Sequence, residues 1–112
     1  GHMLTPTSGS SGIATGIGSL DFVVTLGGFE GGVGTTMDQA GTFMHELGHS
    51  MGLRHGGNDD VHRKPNFLSV MNYLFQTRGL RVNGMDYLLD FSRSKLSDLD
   101  ENALNESAGI AP

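Results

Sequence analysis

The chain has no cysteine. Disulfides and thiolate metal ligands are therefore excluded, and any metal site must be built from histidine and carboxylate. Basic residues are few: 7 Lys and Arg stand against 12 Asp and Glu, for a formal charge of -5. They are also scattered, at Arg54, Arg63, Lys64, Arg78, Arg81, Arg93 and Lys95. A nucleic-acid surface needs such residues clustered, so that partner class drops out. No apolar run approaches the ~18–20 residues of a membrane span. Proline is scarce, at three residues, and no internal repeat is present, which excludes collagen-like and low-complexity chains.

What the chain does have is glycine, 18 residues of it, mostly before residue 60. Gly1-His2-Met3 reads as a tag scar, so His2 carries no functional weight. Residues 4–112 make one domain at most. LTPTSGSSG (4–12) reads as a polar lead-in. IATGIG (13–18) fits a short strand. LDFVVTLGG (20–28) fits a better one, whose continuous apolar run predicts burial on both faces. The glycine-rich GGFEGGVG (27–34) reads as a connector and not a phosphate loop, because no GK[ST] follows.

Thr36 with Gln39 fits a capping box, and a helix is expected from about Thr35 to Met51, stopped by Gly52. At ~100° per residue, Ala40, Phe43, Met44, Leu47 and Met51 form one stripe, expected to face the core. Residues 53–70 read as loop, and Asn83-Gly84 within RGLRVNGMDYLLDF as a turn between short extended pieces. Ser97 to Ser107 carries acidic residues first, then Leu99, Ala103 and Leu104, and predicts a C-terminal helix. The class is α+β.

Chemistry concentrates in HELGHSMGLRHGG, His45 to Gly57. His45 and His49 lie one helical turn apart, on the side away from the apolar stripe, so both can bind one metal. Glu46 sits one step around, in reach of a metal-bound water. HExxH is the pattern in which two histidines hold zinc and the glutamate is general base. Gly52 can turn the chain and bring His55 back as a third ligand. Three imidazoles leave a fourth position open, the composition of a catalytic zinc site. Met71 lies 16 residues beyond His55, in Ser69-Val70-Met71-Asn72-Tyr73.

His45, Glu46, His49, Gly52 and His55, with SVMNY following, resemble the signature of the metzincin clan of zinc metallopeptidases. The resemblance implies a Zn2+ cofactor, ligands His45, His49 and His55, and Glu46 as general base. It implies that Met71 forms a floor beneath the imidazoles without ligating. In astacin-like and serralysin-like members a tyrosine two residues after that methionine approaches the zinc, which nominates Tyr73 for oxyanion stabilisation. The alternative for Tyr73 is a buried core aromatic. HGGNDDVHRKPNFLSVMNYLFQ resembles a group of microbial secreted proteases, which implies secretion or a cell-envelope location. Asp59 and Asp60 read as a solvated loop, with calcium binding as the alternative.

The clan's upper subdomain has a mixed five-stranded sheet and a backing helix. Here residues 4–52 supply counterparts only of its last two strands and the active-site helix. Residues 53–112 supply the lower subdomain, with the third histidine, the Met-turn and a C-terminal helix. IATGIG corresponds to the antiparallel edge strand lining the cleft, along which a peptide substrate would lie extended. The expectation is a fragment or a reduced member, with an unpaired sheet edge open to self-association. The leading function is a zinc endopeptidase. One rival is a zinc-binding but inert module. The other is a gluzincin, in which Glu101 or Glu106 would be the third ligand.

Overall fold

The computed structural model describes residues 10–100 and 102–103. Within them lie four strands, one α-helix and a short 3-10 turn: β1 (Gly12–Ala14), β2 (Phe22–Val24), the 3-10 turn (Glu30–Gly32), α1 (Thr36–Ser50), β3 (Leu80–Val82) and β4 (Met85–Leu88). β1 pairs antiparallel with β2, with Ile13 opposite Val23, and β3 pairs antiparallel with β4. The fold is α+β, with both sheets two-stranded and antiparallel. The edge-strand expectation holds in its pairing direction, but β1 stops at Ala14, and residues 16–18 turn.

Helix α1 begins one residue earlier than the Thr36/Gln39 reading. Thr35 is the N-cap: its Oγ1 accepts from Asp38 N–H at 3.1 Å, and Asp38 Oδ2 accepts from Thr35 N–H at 2.8 Å. Gln39 instead donates from Nε2 to the Val33 and Gly34 carbonyls. Asn83 and Gly84 both have positive φ, 51° and 77°, as a two-residue turn of type I′ requires, so the expected turn closes the β3–β4 hairpin.

Three expectations need correction. The apolar stripe of α1 is not its core face: Ala40 is exposed, Phe43 is 54% exposed and Met51 56%, and Met44 and Leu47 are half-buried. The buried side is Gly41, Thr42, His45, Glu46, Gly48 and His49. Small and polar residues let other backbone come close there. A Cβ on Gly41 would collide with the Gln76 carbonyl, and one on Gly48 with Met71 Sδ. β2 is likewise not buried on both faces, since Val23 is 42% exposed. Among the described residues, a groove of about 570 Å3 lined by Val24, Leu26, Val33, Ala40 and Phe43 lies open beside it. Finally, Ser97–Asp100 has no helical structure, and most of the expected C-terminal helix lies outside the described residues.

Candidate metal centre

The end of α1 and the turn after it shape the site together. Gly52 takes φ +93°; its N–H donates to His49 O at 3.0 Å, and Leu53 N–H donates to Gly48 O at 2.9 Å. These are the two bonds of a Schellman motif, which a left-handed glycine closes without Cβ strain. The chain then doubles back through reciprocal 3.2 Å hydrogen bonds between Arg54 and Gly57, with His55 at the tip of the turn. His55 therefore returns to the helix, as the spacing predicts. Its Nε2 is 3.1 Å from His49 Nε2.

The donor atoms of His45, His49 and His55 all lie within 4.8 Å of one another. His45 Nδ1 is 2.9 Å from Val70 O, and His49 Nδ1 is 2.8 Å from Leu53 O. A carbonyl can only accept, so Nδ1 carries a proton in both rings, and in a neutral ring so held Nε2 is the free lone pair. Carbonyl partners of this kind fix ring orientation in metal sites. Tetrahedral ligands at about 2.0–2.1 Å from a metal stand roughly 3.3 Å apart, close to the separation seen between His49 and His55. The donor set fits a metal ion.

Electrostatics agree with the geometry. Burial, with the neighbouring imidazoles, lowers the pKa of His45 to about 4, although the Val70 bond opposes the shift. Burial also lowers His55 to about 4, against the pull of Asp60. Both rings are neutral at neutral pH, the state a metal needs. Glu46, 4% exposed, is pushed up to about 7 by burial, while the Ala14 N–H facing its carboxylate pulls the other way. A carboxylate poised near 7 suits a general base.

Met71 is fully buried and Gly48 packs against its thioether. Tyr73 is not a buried core aromatic. It is 45% exposed, stacked on His45 with ring centroids 5.3 Å apart, and 4.6 Å from His55. Burial of its hydroxyl, with the Glu46 charge, raises its pKa. His62 is the residue that the sequence reading missed: its ring lies 4.5 Å from His55 and stacks on Tyr73. Its place in a loop of irregular spacing gave no signal. Asn72 is fully buried and donates to the Lys64 and Phe67 carbonyls. Asp59 pairs with Lys64, and Asp60 with Arg54, each at 2.6 Å, so each carboxylate is tied to a cation. Glu101 and Glu106 lie outside the described residues.

Residues 1–56, half of the chain, match the Metallo-peptidase family M12B Reprolysin-like. The chain belongs to this reprolysin-like metallopeptidase family. The matched span includes all three clustered histidines and Glu46. Among curated proteins and among solved structures, nothing matches the chain. No helix among the described residues of this reprolysin-like protein is long and apolar enough to cross a membrane.

Proposed function

We propose that the protein is a zinc-dependent endopeptidase. The observation that carries this reading is the convergence of three imidazoles, with those of His45 and His55 neutral at neutral pH, beside one buried carboxylate of raised pKa. A zinc ion held by His45, His49 and His55 would supply Lewis acidity, polarising the scissile carbonyl and lowering the pKa of water toward ~7. Glu46 accepts the proton of the attacking water and returns it to the leaving amine. Tyr73, whose hydroxyl is still protonated at neutral pH, donates to the oxyanion. Met71 is the floor that keeps the imidazoles in place. The peptide lies extended along the free edge of β1. Secretion or a cell-envelope location goes with this reading through the sequence resemblance alone.

The experiment is Glu46→Ala. One zinc per chain should remain while hydrolysis of casein or gelatin disappears; equal turnover would sink the role given to Glu46. Loss of zinc in His55→Ala, with zinc kept in Glu101→Ala and Glu106→Ala, separates this ligand set from the gluzincin one.

A second reading is favoured by the exposed apolar side of α1: a zinc-holding module that hydrolyses nothing and associates through its uncovered sheet. It expects one zinc per chain, no peptidase activity, and an elution volume that shifts with concentration in size-exclusion chromatography.

A further inference from the structure

Glu46 is held from an unexpected side. Along β1 and its two flanking residues, Ser11, Ile13 and Thr15 turn their backbone polar groups toward Thr25, Val23 and Asp21 of the β2 segment. By the alternation of an antiparallel ladder, the polar groups of Gly12 and Ala14 open away from β2. The Ala14 N–H faces the Glu46 carboxylate. Gly12 lies against the same side chain. A Cβ placed there would stand 2.7 Å from Glu46 Oε1, 2.8 Å from Cγ and 2.9 Å from Cδ. Real Cβ atoms essentially never approach so closely.

The demand on Gly12 is for space. Its φ is not in the left-handed region, and it occupies a strand that any L-residue could enter. Glycine weakens a strand interior, so conformation alone favours a side chain here. The carboxylate of Glu46 has little freedom to yield, because it is buried and shares its helix with His45 and His49. Moving it aside means moving it relative to the imidazoles.

We propose that Gly12 is a positioning residue for Glu46: the strand, bare at this one place, is the seat that fixes the carboxylate beside the three histidines. The proposal rests on the reading of Glu46 as general base. Gly12 acts through Glu46 and touches neither the metal ligands nor the reacting bond, so its loss should change turnover and leave metal binding alone.

The test is a double-mutant cycle with two readouts. In the metal-free protein, Gly12→Ala should lower Tm by roughly 4–8 °C. In a Glu46→Ala background, which removes the three atoms nearest the new methyl, the same substitution should lower Tm little or not at all. Gly16→Ala, where a Cβ meets nothing within 4 Å, should leave Tm unchanged. In the zinc-loaded protein, Gly12→Ala should retain one zinc per chain and lose at least tenfold in kcat, with KM within about twofold. An equal fall in Tm with and without Glu46 would overturn the proposal, as would an unchanged kcat. Absence of hydrolysis by the zinc-loaded wild type would overturn the general-base reading instead. In that case the Tm cycle still decides whether Gly12 seats Glu46.

Discussion

His49 donates from Nδ1 to the carbonyl of Leu53 at 2.8 Å, across the turn in which Gly52 holds its left-handed φ of +93°. Helix termination and ligand orientation are thus one piece of structure. Any L-residue at Gly52 pays about 1–2 kcal/mol to keep that φ. If the backbone relaxes instead, both the Leu53 carbonyl and His55 move. Gly52→Ala should therefore weaken zinc binding at least tenfold, read by competition with a chromogenic chelator. An affinity equal to wild type would show that the turn does not set the ligand geometry.

Gly48 and Met71 make a second tight relationship. A Cβ on Gly48 would collide with Met71 Sδ and stand 2.9 Å from Phe91 Cε1. Overpacking of this kind costs about 1–3 kcal/mol. Gly48→Ala should lower the urea midpoint of the metal-free protein accordingly. Met71→Ala opens a cavity at a fully buried position and should cost about 2–5 kcal/mol, whereas Met71→Leu should cost less than about 1.5. A Gly48→Ala protein as stable as wild type would mean that the turn carrying Met71 yields freely.

The pH dependence of the metal-free protein follows from three groups in the site. His45 and His55 fall from 6.5 to about 4 on folding. Between those values the unfolded chain binds protons that the folded chain refuses, so stability is lost as pH drops from about 6.5 toward 4. Glu46 moves the other way, from 4.5 to about 7, so the folded chain keeps a proton that the unfolded chain has released, and stability is lost as pH rises through that window. Two histidines outweigh one glutamate where the windows overlap. Thermal melts should thus show Tm rising from pH 4.5 to a plateau near 7. Glu46→Gln removes the opposing titration and should steepen that rise. A flat profile across pH 4.5–6.5 would contradict the burial assigned to the two imidazoles.

The site was more legible in the sequence than the surface around it. His45, His49 and His55 converge because helical spacing and one left-handed glycine are local properties, written within eleven residues. The helix face was misread because periodicity equates apolar with buried. Here Gly41 and Gly48 bury instead, since missing side chains admit the Gln76 carbonyl and Met71. Phe43 and Met51 stay exposed because the sheet beside this helix has only two strands among the described residues. The role of Asn72 was hidden for a related reason: its amide bonds to carbonyls five and eight residues away, contacts that no local pattern encodes.

His62 was illegible for the same reason, and it sharpens a question about the ligand set. Its ring is 4.5 Å from His55, near enough to suggest a fourth or substitute ligand. Yet it is with Tyr73 that it stacks: the two rings are 4.9 Å apart and 8° from parallel, and the donor atoms that converge belong to the other three histidines. Stacking between rings contributes about 0.5–1.5 kcal/mol. His62→Ala should therefore keep one zinc per chain with affinity within about threefold of wild type, while His55→Ala should lose at least a hundredfold. The stacking leaves its own signature. The chain has no tryptophan and two tyrosines, so its fluorescence reports Tyr73 and Tyr87 alone. Acrylamide should quench that emission more strongly in His62→Ala, where one face of Tyr73 is uncovered, and His62→Phe should restore the wild-type response. Retention of tight zinc binding by His55→Ala, abolished only when His62 is also replaced, would instead make His62 a ligand.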